Sequence, residues 1–567
     1  MKIIDTNTLR LHSLVATLSV FLLLVGTRDA EAQFNQKPLA IGSLHQVYTE
    51  TGGQQEYWAG GPNHFQWPGI YQDGVLRADA LWIGARNVTG ANGEQYNYRV
   101  VHVGPRATGF GEFFPVGFKK VVRREPTEVY VDGNLTLKEE IDYDEVDPNL
   151  PADQMIETRV NTLLGVTMTK RMYAWSQEYH DNYHVHEYIL ENTGHTGPED
   201  DGTLSGETIE GLYLHFQKRY TLQERSAIPG NGWGANVLND IVGDGMEDYD
   251  VDFAAQYTWM GNSQNADIDP LGGPAWDDSP WFIEEGDDDG ELTAYQFVGT
   301  VTLEATPSPD APRQPSMTGH IDADDNITSG NDAFNQEQMR QEYEFMSTAR
   351  GEGPHMYPHH ADIVDQDGDF TTPEGDPQLG RAGGWTSAFS YGPYTLGPGE
   401  SVRIVMAEAQ SGLSKQAAVR IGQAFKANAG GVRANADPFA PIEYDANGNG
   451  TIEPDEVMGK NAWVMTGKDS LFQTFERAIA NYESGYSIPE PPAPPRRFEV
   501  TSGVDQIELT WEVAESPPGG FEIYRSRDRL VGQYDNLYQY ELIAELDGDA
   551  RRYIDDDVVR GANYYYY

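Results

Sequence analysis

The chain has 567 residues, with 39 basic against 89 acidic for a formal net charge of 39 − 89 = −50, and it has no cysteine. A surface this negative repels phosphate backbones and anionic lipid, which argues against nucleic-acid and passive membrane-surface partners and suits a medium rich in salt or divalent cations. The absence of thiols excludes disulfides, thiolate zinc sites and a cysteine nucleophile, while 39% apolar and 11% aromatic residues exclude general disorder.

The N-terminus reads as an address. Lys2 and Arg10 precede an apolar run, Leu14 to Gly26, and Ala30-Glu31-Ala32 offers a small-x-small cleavage site before Gln33. The run is too short for a comfortable membrane span, and no later segment is apolar enough to cross a bilayer. A secreted or cell-surface protein with no transmembrane segment in its mature chain is the expectation.

Residues 33–410 are expected to form a large β-rich region of one or two sandwich subdomains. Ala80–Gly84, Tyr98–Val103 and Val129–Val131 read as strands, the last running into a tight turn at Asp132-Gly133. The centre is Met155 to Gly194. Thr162–Trp175 is rich in β-formers, polarity alternates over Val166–Trp175 and again over Tyr183–Leu190, and the two runs are joined by the polar segment Ser176–Asn182. They predict a long antiparallel pair whose sizeable side chains on both faces call for cover on both sides. Leu212–Phe216, Tyr295–Leu303 and Val402–Ala407 supply further strands. Met339, Tyr343 and Met346 set a helix over Asn335–Ser347. Residues 411–487 form a helical segment, with helices over Leu413–Ala429 and Ser470–Ser484, and Pro489–Pro495 is a stiff linker.

After the linker, Phe498–Val500, Ile507–Trp511, Phe521–Ser526, Leu542–Ala544 and Tyr564 onward are short strands at sandwich spacing. Trp511 ends the second, Tyr524 lies in the third and tyrosines crowd the penultimate one. The segment 496–567 resembles a fibronectin type III domain, which implies a spacer or adhesion module. Its seventh strand is missing, so the expectation is a domain truncated at its C-terminus. The expected fold is mainly β: a large antiparallel sandwich-type region, a small helical segment and this incomplete second sandwich.

Asp445-Ala446-Asn447-Gly448-Asn449-Gly450-Thr451-Ile452-Glu453-Pro454-Asp455-Glu456 places oxygen side chains at loop positions 1, 3, 5, 9 and 12, with glycine at 6. A flexible loop of that pattern wraps a hard cation, calcium above all. It resembles EF-hand and dockerin loops. The resemblance implies side-chain ligation by Asp445, Asn447 and Asn449 and a carbonyl from Thr451. Glu453 would act directly or through water, and Glu456 would be bidentate. Pro438 and Pro441 leave no room for an incoming helix, and no second loop lies at dockerin spacing. Asp365, Asp367 and Asp369, with Glu374 and Asp376 beyond, form a weaker calcium candidate in which Phe370 takes the glycine position. An ordinary solvated acidic loop explains that stretch equally well.

His184 and His186 share a strand face, with His180 and Glu187 close by, and His355, His359 and His360 sit near Asp362. Imidazoles at such spacings bind zinc or iron, but core-satisfied histidines are the commoner outcome. The tryptophans Trp233, Trp259, Trp276 and Trp281 lie among Asp and Gly and could stack on a sugar or pin their own loops. The reading these features favour is a non-enzymatic, calcium-binding extracellular protein of adhesion or matrix type, whose ligand is a polysaccharide or another surface protein. A carbohydrate-active enzyme or sugar-binding protein is the alternative, and a metal-dependent hydrolase the third.

Overall fold

The computed structural model describes residues 34–55, 65–67, 76–136, 142–220, 240–243, 255–260, 273–274, 276, 290–292, 295–308, 316–322, 331–348, 385–527 and 541–566. It is mainly β, with several antiparallel sheets. β1 (Gln36–Ala40), β2 (His45–Thr49) and β3 (Phe65–Gln66) form a small sheet. β4 (Leu76–Thr89) and β5 (Gln95–Val103) pair as a hairpin, and β6 (Phe113–Val122) leaves for another sheet. The short β7 (Glu128–Val131) and β8 (Asn134–Leu135) turn on Asp132 and Gly133, both at positive φ (49° and 78°), the backbone that a two-residue hairpin turn needs. Next come β9 (Glu145–Val146), β10 (Gln154–Thr162), β11 (Val166–Ala174), β12 (Tyr183–Asn192) and β13 (Ile209–Tyr220). β14 (Asp240–Gly243), β15 (Ala255–Met260), β16 (Gln296–Ala305) and β17 (Met317–Asp322) lead to helix α1 (Gln336–Ser347), then β18 (Trp385–Leu396) and β19 (Ser401–Gly412). Helices α2 (Lys415–Asn428) and α3 (Lys460–Glu483) flank β20 (Ile442–Glu443) and β21 (Val457–Met458). The chain continues through β22 (Arg497–Ser502), β23 (Ile507–Glu512), β24 (Phe521–Arg527), β25 (Glu541–Leu546), β26 (Arg552–Asp555) and β27 (Tyr564–Tyr566).

Nine strands form the central sheet in the order β14-β15-β16-β19-β12-β11-β10-β6-β9, and five face it in the order β17-β18-β13-β4-β5. The expected long pair is a three-stranded meander. Met155–Thr162 had no clean alternation, yet β10 pairs with both β11 and β6. Side chains alternate across a sheet, so Leu81, Ile83, Leu214, Phe216, Phe389 and Tyr391 meet Met168, Tyr188, Leu190, Ile404 and Met406 in one buried cluster between the sheets. The opposite face of the nine-stranded sheet is covered by α2 and α3, where Phe425, Trp463, Leu471 and Phe475 pack on Phe297, Val405, Ala407 and Ala409. Cover on both sides of the central strands is what their side chains called for.

α1 lies on the outer face of the five-stranded sheet, burying Met339, Glu342, Tyr343 and Met346 at i, i+3, i+4 and i+7. Its N-cap Asn335 accepts from the Gln338 N–H, and α2 begins the same way with Ser414 accepting from Ala417. α3 starts at Lys460, ten residues before the expected Ser470. The reason is local: Trp463 donates its indole N–H to the Ile442 carbonyl at 3.2 Å and packs edge-on against Tyr444, so the helix is anchored from its first turn.

The C-terminal strands make two small sheets, β26-β23-β22-β7-β8 and β25-β24-β27, around Leu509, Trp511 and Ile523. β26 was not anticipated from the sequence. β7 pairs in parallel with β22. The proline linker is tied down as well: Arg124 donates to the Pro491 carbonyl and Thr127 to the Pro495 carbonyl.

Candidate functional site

The interior of the large sandwich is apolar at one end and polar at the other. On β13 the inward face runs Leu214, Phe216, Lys218, Tyr220; on β19 it runs Ile404, Met406, Glu408, Gln410. The two strands meet across the gap, with Lys218 Nζ 2.7 Å from Glu408 Oε1 and 3.5 Å from Asp79 Oδ1. Lys170 Nζ is 3.6 Å from Asp79 Oδ2 and donates to the Gly52 carbonyl at 2.9 Å. Tyr220 donates to Glu408 Oε1 at 2.6 Å. All five of these side chains are buried.

Two carboxylates thus face two amines in a space without water's dielectric. Burial works against the Lys218 ammonium, but Asp79 and Glu408 outweigh it and its pKa is raised. Around Lys170 burial outweighs the attraction of Asp79, and the Lys218 charge adds repulsion, so its pKa is lowered. Burial, with Glu408 and Asp79 adding repulsion, drives the Tyr48 phenol well above its usual range, so Tyr48 stays a neutral hydroxyl.

His184 and His186 share the inward face of β12, as expected, and reach this polar end. Tyr48 OH lies 2.9 Å from His184 Nδ1 and 2.9 Å from His186 Nε2. His184 Nε2 is 3.1 Å from the Leu44 carbonyl, which can only accept, so that nitrogen carries the proton. Burial, then His45, holds His184 down at about 3, and burial with Lys170 and Lys218 puts His186 well below its ordinary value. Protein atoms therefore take up both rings. Glu187 is on the opposite face with Arg171 and Arg403, and His180 contacts the Tyr183 hydroxyl at 2.7 Å. The strand parity that pairs His184 with His186 thus separates them from Glu187.

A second buried group lies under α1. His102 Nε2 is 2.8 Å from Glu342 Oε2 and its Nδ1 3.0 Å from Glu112 Oε2, so both ring nitrogens face carboxylates. Burial opposes the charge, but Glu342 and Glu112 prevail and lift His102 to about 9. Its neighbour His215 has no such acid among the described residues, its Nδ1 lying 2.8 Å from the Ser390 hydroxyl. Burial, then the His102 charge, lowers it to about 3.

The predicted calcium loop is preorganised by its own backbone. Asp445 Oδ1 and Oδ2 accept from the N–H groups of Asn449 (3.1 Å) and Gly450 (2.7 Å), with Gly450 at φ +80°. Glu456, nearly buried, accepts from Ala446 (2.9 Å) and Asn447 (3.2 Å) through Oε1 and from Glu453 (3.1 Å) through Oε2. The Glu453 carboxylate takes the amide nitrogens of Asn447 (2.9 Å) and Asn449 (3.3 Å). The Asn447 and Asn449 oxygens accept from the next N–H but one, at 3.0 and 2.8 Å. An sp² oxygen has two lone pairs, so each retains acceptor capacity. Pro454 opens a three-residue 3₁₀ turn rather than a long helix, and β20 and β21 close the loop as a two-stranded ladder. Among the described residues, no three His, Asp or Glu side chains converge at metal-holding distance. A cation here would therefore depend on the two amide oxygens and the Thr451 carbonyl as much as on Asp445, Glu453 and Glu456.

Asp365, Asp367, Asp369, Glu374 and Asp376 lie outside the described residues, as do His355, His359, His360, Trp233, Trp281 and the Trp259 side chain. Trp276 is buried against Phe425 in the helix-side core. Sequence reasoning missed Asp79, Lys170, Lys218, Glu408 and Gln410. The signal was present: each carries a charge or amide on the strand face whose other members are apolar.

Among the described residues no helix is long and apolar enough to cross a membrane. No protein-family model and no curated protein matches the chain. Among solved structures it is similar to one described as a "Putative aldose 1-epimerase" from Escherichia coli K12. The identity is 11%, the match covers 67% of this chain and 100% of that one, and the TM-score is 0.25. So distant a likeness carries no argument about activity. Fold and geometry define a mainly β protein with a polar sandwich interior and a preorganised acidic loop.

Proposed function

We propose that the protein is exported and acts outside the cell as a non-enzymatic binding protein of adhesion or matrix type, stapled by calcium at Asp445–Glu456. The observation that carries this reading is the loop itself. The carboxylates of Asp445, Glu453 and Glu456 and two amide oxygens are gathered in twelve residues, backbone N–H groups orient them, and no ion pair neutralises them among the described residues. Calcium, a hard cation with six to eight oxygen ligands, suits such a set. With neutral Asn at positions 3 and 5, an affinity of roughly 10⁻⁴–10⁻³ M is expected, sufficient where calcium is millimolar. The small-x-small site before Gln33 supports export, and two small sheets around Trp511 support the fibronectin-like module.

The test is thermal unfolding of the full chain with calcium or with a chelator. An isolated 411–487 fragment is unsuitable, because α2 and α3 bury their apolar faces on the nine-stranded sheet. At ten times Kd, calcium adds about 1.4 kcal/mol, a rise on the order of 1–2 °C for a chain of this length. The double substitution Asp445→Ala, Glu456→Ala should abolish the rise. Identical wild-type curves under the two conditions would make the loop an ordinary turn.

A further inference from the structure

We infer that the polar end of the sandwich interior, around Gln296, Gln410 and Glu408, binds an uncharged, hydroxyl-rich small molecule of the saccharide or polyol class. Gln296 and Gln410 are fully buried, yet among the described residues neither the oxygen nor the nitrogen of either amide has a hydrogen-bond partner. Glu408 Oε2 is likewise unpartnered by hydrogen bonds, with His186 Nε2 at 3.8 Å. Buried polar groups are almost always satisfied, so amides left open on both atoms call for a further partner.

The three side chains belong to one patch. β16 and β19 pair with Val298 opposite Gln410 and Thr300 opposite Glu408. Residues directly opposite share a face, and so do alternate residues along a strand, which puts Gln296, Val298 and Thr300 beside Glu408 and Gln410. His184 lies opposite Glu408 on the other side, in β12. Diagonal neighbours on such a ladder are about 7–8 Å apart, a span that one sugar ring can bridge.

The chemistry selects the ligand. A side-chain amide donates and accepts, as a hydroxyl does, and a carboxylate oxygen accepts from a hydroxyl at short range. An anion would meet Glu408 and Asp79, and a cation would meet Lys218 and Lys170. Uncharged hydroxyls fit where either ion is opposed. The same groups would accept a free monosaccharide or the terminal residue of a polysaccharide. This inference rests on the binding reading above and names its ligand class, but it is independent of the calcium loop.

The experiment is calorimetric titration of the full chain, in saturating calcium, with glucose, galactose and myo-inositol and with oligomers of the two sugars. Glucuronate and glucosamine serve as charged controls. At least one uncharged probe should bind and outcompete its charged analogue. Preference for the oligomer would point to a polysaccharide end, and preference for the monomer to a free sugar. Gln410→Leu and Gln296→Leu should each weaken binding at least about tenfold, the loss of one good hydrogen-bonding group. Their melting temperatures should hold or rise, because an orphaned amide has been removed. Gln410→Met keeps the shape should the leucine variant fail to fold. The proposal is overturned if no uncharged probe binds the wild type, if binding ignores the substitutions, or if a charged analogue binds more tightly. Loss of the calcium-dependent melting shift with sugar binding intact would sink only the calcium reading, and the converse only this one.

Discussion

His102 makes this fold lose stability as the pH turns alkaline. Its ring is clamped between Glu112 on the connection from β5 to β6 and Glu342 on α1, and Asn331 donates to the other Glu342 oxygen at 2.7 Å. In the folded chain the group titrates at about 9 against an ordinary 6.5. Between those values the native state holds a proton that the unfolded chain has released, so raising the pH favours unfolding. The contribution is complete below about 6.5, declines through the interval and is gone above about 9. The distance from 6.5 to about 9 sets an upper bound on the order of 3 kcal/mol. Urea unfolding of the full chain at steps from about pH 6 to about pH 10 measures it. Glu342→Gln keeps the shape of the contact and removes the larger opposing charge, so its stability should vary much less over the same interval. Equal pH slopes in the two proteins, or a flat wild-type profile, would refute the reasoning.

Three further outcomes are expected. Lys218→Met should cost about 3–5 kcal/mol in chemical unfolding, because it leaves Glu408 and Asp79 buried without their nearest ammonium. The double variant with Glu408→Gln should recover part of that loss, and strictly additive costs would mean that the two groups are not coupled. Gly422→Ala in α2 should destabilise by about 1–3 kcal/mol despite alanine's better helix propensity, because a Cβ there would sit 1.9 Å from the Gly290 carbonyl oxygen. Calcium should raise the melting temperature of the full chain and leave the Asp445→Ala, Glu456→Ala variant unmoved, as scanning fluorimetry can read.

The sequence by itself determined the elements whose causes are local. Alternation over Val166–Trp175 and Tyr183–Leu190 marked β11 and β12, and Met339, Tyr343 and Met346 marked α1. Asp132-Gly133 marked a hairpin turn, and the glycines and oxygen side chains of Asp445–Glu456 marked a loop of calcium-binding pattern. These signals lie within a few residues of one another, so the chain need not be folded to reveal them. β10 escaped because its burial comes from two neighbouring strands rather than from its own pattern. α3 escaped in its first ten residues because Trp463 is anchored by Ile442 and Tyr444 across the loop. Only the tertiary structure decided that Lys218 answers Glu408 across 190 positions of chain, or that Gln296 and Gln410 share a face with no hydrogen-bond partner among the described residues. It also decided that β7 leaves its own region to extend the sheet of β22. Parity shows which residues share a face, but which face meets which is set by strand order. That order is a property of the whole packed chain, because each sheet buries its apolar side only against a partner, near or distant in sequence.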